Sequence, residues 1–130
     1  MTALDAFALY TGINGLLIIA LAFNVIRHRQ RAKVGIGIGN DEKLELACRV
    51  HGNAVEYIPV ALVIIGGLAL TNAPVLLIHG LGIGLTVGRL LHAWGLSQSS
   101  GSSMGRFIGT LLSWLVTIIG SLFLIWTAIS

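Results

Sequence analysis

The stretch Glu45-Leu-Ala-Cys-Arg49-Val-His51-Gly-Asn53-Ala-Val-Glu56-Tyr57-Ile-Pro59 opens the second of four long apolar blocks, yet carries two acids, an arginine, a histidine and an asparagine. At about 100° per helical residue, Glu45, Arg49, Asn53 and Glu56 fall within a wedge of roughly 80° on one face. Charged side chains inside a membrane segment are costly, so they face protein or water and mark a site. This stripe predicts a polar binding face on a membrane helix.

Composition supplies the membrane setting. Of 130 residues, 55% are hydrophobic and 10% charged, whereas soluble domains carry about 25% charged residues. The mean hydropathy is +0.91. The sequence predicts an all-α integral membrane protein, a single four-helix bundle domain over residues 1–130 with helices at about 4–26, 41–70, 74–95 and 104–129. Each can cross a hydrocarbon core of ~30 Å at ~1.5 Å per residue. The first block lacks a basic leading region, and its apolar run from Ala6 to Ile26 exceeds the ~7–15 residues of a signal peptide core. It is expected to stay as a transmembrane helix.

The single cysteine, Cys48, excludes an internal disulfide and reads as a small buried residue. The net charge of +3 would suggest nucleic acid as a partner elsewhere. Here the basic residues flank membrane spans, which removes that partner class.

The connections are read as follows. Arg27 to Lys33 form a basic collar, and Val34 to Asn40 a flexible glycine-rich loop. That loop lacks the strand, the βαβ setting and the lysine-serine ending of a phosphate loop. Asn40 or Asp41 should cap the second helix, and Pro59 should interrupt its hydrogen bonding. Asn14 is expected to bond to a neighbouring helix. Gly80, Gly84 and Gly88, then Gly105, Gly109, Ser113, Thr117 and Ser121, follow the four-residue spacing that brings helix backbones close. Leu96 to Ser103 reads as a linker, and Trp126 as an interfacial anchor.

All eight Lys and Arg residues fall at or near one membrane side, while the other offers Asp5 and no basic residue. The positive-inside rule therefore places both termini on the non-cytoplasmic side. Arg49, Arg89 and Arg106 belong to three different helices at similar depth, and Glu56 lies roughly 10 Å deeper than Arg49. This arrangement suits a small anionic ligand carrying one amine. Arginines would fork to its carboxylates, and Glu56 or Asn53 would take ammonium or amide groups. The competing explanation is an i, i+4 pair of Glu45 with Arg49 and arginines that merely snorkel, which is adopted for the Arg27–Lys33 collar. His51 lies well over 100° from the stripe and is expected to face a neighbouring subunit. His79 reads as structural, and His92, three residues after Arg89, as a functional candidate. No spacing of His, Cys and Asp matches a metal site.

The run from Arg49 to Pro59 resembles the helix-2 hallmark of the MAPEG family, membrane-associated proteins in eicosanoid and glutathione metabolism. That pattern is an Arg, an Asn four residues on, a Glu three further followed by Tyr, then a Pro, and Arg49, Asn53, Glu56, Tyr57 and Pro59 match it. The segment Gly88-Arg89-Leu-Leu-His92-Ala-Trp94-Gly95 fits as well. The resemblance implies a homotrimer in the bacterial inner membrane, with glutathione as cosubstrate bound between adjacent subunits on the cytoplasmic side. Carried over by position, Arg49, Asn53, Glu56 and Tyr57 would bind glutathione, with His51 at a position that contacts it in some members. Arg89, His92 and Trp94 would extend the set from the third helix. Arg106 falls near the family's catalytic arginine and, with the first-loop arginines as alternatives, would stabilise the thiolate. Eukaryotic members place tyrosines where this chain has Leu90, which cannot donate a hydrogen bond, and Trp94, which donates only through its indole N–H.

The implied function is a glutathione transferase or peroxidase acting on lipophilic electrophiles that arrive from membrane lipid. The alternative is a non-catalytic glutathione- or anion-binding scaffold of the same fold. A small exporter working through Glu56 is disfavoured by the one-sided Lys/Arg distribution and by the lack of an acid deep in the first helix.

Overall fold

The computed structural model describes residues 1–98, 101 and 103–130. It contains four helices in chain order: α1 (Ala3–Ala32), α2 (Glu42–Leu70), α3 (Val75–Gln98) and α4 (Met104–Ile129). All four are long and apolar enough to cross a membrane. Short connections make sequential helices antiparallel, so both termini lie at one end of the bundle. Among the described residues α1 packs on α2 and α3, α4 packs on α2 and α3, and α1 and α4 do not meet.

Two helix ends differ from the sequence expectation. Helix α1 continues past Ile26 through the basic collar to Ala32 and stops where Lys33 adopts a left-handed φ of 56°. Arginine and glutamine are good helix formers, and the C-terminal end of the helix dipole favours cations. The collar is therefore helix rather than connection. Helix α3 runs on to Gln98, so the start of the expected linker is helical; Ser99, Ser100 and Ser102 lie outside the described residues.

The glycine-rich connection is clamped rather than loose. The Arg29 guanidinium donates to the carbonyls of Gly35 at 3.2 Å and Gly37 at 2.9 Å. Arg31 pairs with Asp41 across the two ends of the loop. Asp41 also caps α2, accepting the Leu44 N–H at 2.8 Å. That N–H and the Arg31 charge hold the Asp41 carboxyl below its ordinary value of 3.8.

The apolar core is concentrated at the termini end. Ala6, Ile65, Leu68, Ile78, Leu81 and Leu85 lead a continuous buried cluster there, whereas the opposite half has a smaller cluster of Val50, Ala93 and Leu96, with Leu44, Ala47 and Ala54 also buried. Polar bonds tie α1 to α3 within this bundle. Asn14 donates to Thr86 Oγ1 at 2.9 Å, and Tyr10 OH meets His79 Nδ1 at 2.9 Å, so both residues act as helix-to-helix ties.

Helices α3 and α4 approach most closely. A Cβ at Gly109 would sit 2.5 Å from the Gly88 carbonyl oxygen and 2.6 Å from the His92 nitrogen. One at Gly95 would sit 2.7 Å from the Arg106 nitrogen. Gly84 and Gly88 face α4, but Gly80 has no atom within 4 Å of the same position. A four-residue step advances ~400°, so such a repeat drifts off the contact face by ~40° per step.

Two outcomes follow from these contacts. Gly109→Ala should destabilise the purified protein by about 1–3 kcal/mol through overpacking against backbone, measured by thermal unfolding in detergent. The loop clamp through Asp41 should be present above pH ~4 and lost only as pH falls through the lowered folded value. Hydrogen exchange of the Leu44 amide should show that dependence, and Asp41→Asn should abolish it.

Candidate functional site

At the end of the bundle away from the termini, where the apolar core is thin, a cavity of about 900 Å³ opens between α2, α3 and the start of α4. The stripe on α2 forms its main wall: Glu45, Arg49, Asn53 and Glu56 all line it. His92 and Gln98 enter from α3 and Arg106 from α4. The wall carries three acids, Glu42, Glu45 and Glu56, and two arginines, Arg49 and Arg106. Such a surface matches a zwitterion better than a simple anion, because each charge of the ligand finds an opposite partner.

Arg106 stands in the first turn of α4, capped by Ser103, whose Oγ accepts the Arg106 N–H at 3.3 Å. Its guanidinium donates to the Gly101 carbonyl. Gly95 and Gly105 let α3 and α4 meet at backbone distance here, which brings Arg106 beside the α2 wall. His92 is 5% exposed and lines the same cavity, and its Nδ1 makes no hydrogen bond to a described residue.

Arg89 takes a different place. It is 1% exposed and is not among the residues lining the cavity. Its Nη2 donates to Asn53 Oδ1 at 2.6 Å, and its Nη1 donates to Ser113 Oγ at 3.3 Å. The Arg89 Cζ lies 5.2 Å from the centre of the Tyr57 ring, within cation–π range. Ser113 in turn donates to the Gly109 carbonyl at 2.8 Å. The guanidinium is thus a strut across α2, α3 and α4 behind the cavity wall. No carboxylate lies within ion-pair distance of it among the described residues.

The remaining candidates scatter. Tyr57 belongs to a second, apolar groove of about 270 Å³, together with Val60, Trp114 and Ile118. Trp114 Nε1 donates to Tyr57 OH at 3.3 Å there, and Glu56 borders both spaces. Trp94 is 63% exposed and Leu90 50% exposed, both turned outward. His51 is half-buried and lines neither space. Among the described residues, no three His, Cys, Asp or Glu side chains converge as a metal ion requires.

Six residues of the lining, Glu42, Leu46, Cys48, Gly52, Leu96 and Gln98, were not singled out as part of the site. Glu42 lies in the same wedge of α2 and Gly52 about 20° outside its edge, so the helical period contained that signal. Cys48, expected to be buried, is half-buried on the cavity wall. Arg29 Nη2 lies 3.8 Å from its Sγ. The reason is that the extended α1 carries Arg29 over the start of α2, which composition alone does not reveal.

The chain is 41% identical over 88 residues to "Inner membrane protein YecN" of Escherichia coli (strain K12), an alignment covering 68% of this chain and 67% of that protein. The same figures hold for its counterpart in Escherichia coli O6:H1. Four apolar helices and an inner-membrane relative make this an integral inner membrane protein. The model of the MAPEG family matches residues 7–126, and the chain belongs to the MAPEG family.

Proposed function

We propose that the protein binds glutathione in the large cavity and uses it as a transferase or peroxidase toward lipophilic electrophiles. The observation that carries this reading is the pairing of charges on the cavity wall. Glutathione presents two carboxylates, one ammonium, two amides and a thiol. Arg49 and Arg106 suit the carboxylates and a thiolate, and Glu42, Glu45 and Glu56 offer partners for the ammonium. Family membership supports the same ligand class.

The chemistry follows from charge. A free thiol has a pKa near 8.5, and a neighbouring cation favours its thiolate. With the sulfur beside Arg106, the thiol proton leaves to solvent and the thiolate attacks an electrophilic carbon. A C–S bond forms, and the leaving group departs with its bonding pair. Toward a hydroperoxide, two glutathiones would be oxidised to the disulfide, with the peroxide reduced to alcohol and water. The apolar groove of Tyr57, Val60, Trp114 and Ile118 adjoins the cavity at Glu56 and suits the lipophilic partner.

Assembly belongs to this reading. Arg49 and Glu56 lie on the exposed side of a single chain. A charged stripe facing hydrocarbon is unfavourable, so a second copy covering it, as in a homotrimer, removes that penalty and closes the cavity. The one-sided basic residues put this cavity on the cytoplasmic side and both termini opposite.

One feature favours a binder without turnover as the second reading. Among the described residues no hydroxyl lines the cavity, so the thiolate would rest on cations alone. Titration of the detergent-purified protein with glutathione, read by calorimetry and by thiolate absorbance, tests the proposal. Binding with a thiolate band is expected, with Arg106→Leu losing the band and Arg49→Leu weakening affinity at least tenfold. Absence of binding at millimolar glutathione would sink it. Binding without turnover across a panel of hydrophobic electrophiles would leave the non-catalytic binder.

A further inference from the structure

We infer that Arg89 is a positioning residue that orients the Asn53 amide so that its NH2 group, not its oxygen, faces the ligand cavity. The Asn53 wall would then select a carboxylate or carbonyl oxygen of the ligand and reject its ammonium. The selectivity half of this inference rests on the cavity being the glutathione site. The amide orientation does not.

The geometry is one of forced donors and acceptors. Arginine has five N–H donors and no acceptor, so the Asn53 atom 2.6 Å from Arg89 Nη2 is its oxygen. Turning the amide over would set NH2 against guanidinium, two donors with nothing between them. Arg89 is itself immobilised. It is 1% exposed, its Nη1 reaches Ser113 Oγ at 3.3 Å, and its Cζ lies 5.2 Å from the Tyr57 ring centre. The Ser113 hydroxyl hydrogen is directed to the Gly109 carbonyl at 2.8 Å, which leaves its lone pairs for Arg89. The chain of bonds therefore runs one way, from Arg89 outward to Asn53.

With its oxygen taken, Asn53 has only Nδ2 to offer. That nitrogen makes no hydrogen bond to a described residue, and it is not among the buried unsatisfied atoms, so it is accessible from the cavity that Asn53 lines. Asn53 thus joins Arg49 and Arg106 as a donor, and recognition of an ammonium is left to the glutamates. On this inference Asn53 would not take the ammonium, one of the two roles, ammonium or amide groups, that the sequence reading allowed it.

Asn53→Asp separates the alternatives, because the carboxylate is nearly isosteric, keeps an acceptor for Arg89 and deletes the NH2 group. Thermal unfolding and glutathione titration of the detergent-purified wild type, Asn53→Asp and Asn53→Leu form the experiment. The expected result is that Asn53→Asp unfolds no earlier than wild type while glutathione affinity falls at least tenfold. Asn53→Leu should unfold earlier, and Arg89→Lys, which keeps a donor to the amide, should retain more affinity than Arg89→Met. Equal or tighter glutathione binding by Asn53→Asp, as an oxygen facing the ammonium would give, overturns the inference. So does an Asn53→Asp protein that unfolds as early as Asn53→Leu. Should the wild type bind no glutathione, the ligand reading and the selectivity fail together, and the unfolding comparison alone decides the orientation of the amide.

Discussion

A guanidinium buried in a membrane bundle, with no carboxylate at ion-pair distance among the described residues, is the constraint around which the polar half is built. Burying a charge is expensive unless its hydrogen bonds are made. Arg89 meets that demand in part, with neutral partners from two other helices, the Asn53 amide and the Ser113 hydroxyl, and with the face of Tyr57, while its buried Nε makes no hydrogen bond to a described residue. Those partners come within reach only because α3 and α4 touch backbone to backbone at Gly88 and Gly109. The small residues and the buried cation are thus two parts of one arrangement. The glycines set the distance, and the arginine fixes the rotation of α2 relative to its neighbours. That rotation turns Glu45, Arg49 and Glu56 into the cavity.

Division of labour along the bundle axis follows. Apolar packing near the termini supplies cohesion, with Ile65, Leu68, Ile78 and Leu85 fully buried. The other half has a smaller apolar cluster and holds the cavity with its charged wall. A site built this way has a rigid floor and an open mouth. The Arg29 bonds to the loop carbonyls and the Arg31–Asp41 pair keep the connection between α1 and α2 folded at the rim. Arg29 and Arg31 therefore act first as structure.

Much of this was legible in the sequence, for identifiable reasons. The spans follow from hydropathy, and the α2 face from the helical period that aligns Glu45, Arg49, Asn53 and Glu56. The Asp41 cap follows from its place before an acidic first turn. What was not legible depended on rotation and contact rather than pattern. Arg89 and Arg106 look equivalent in sequence, each an arginine near a helix end at the same membrane side. Arg89 is buried behind the wall and Arg106 is part of it, because the first faces Ser113 and the second starts a new helix. Helix α1 ran past the first charges because arginine does not end helices. Gly80 shares the spacing of Gly84 and Gly88 but has drifted off the contact face.

The central claim is that the mixed-charge wall of α2, together with Arg106, is a glutathione site. The most direct measurement is an experimental structure of the protein with glutathione bound in its native oligomer. The account predicts glutathione inside the cavity, its sulfur beside the Arg106 guanidinium and a carboxylate or carbonyl oxygen on Asn53 Nδ2. An empty cavity at saturating glutathione, or glutathione bound with its ammonium on Asn53 and its sulfur away from every arginine, would contradict it.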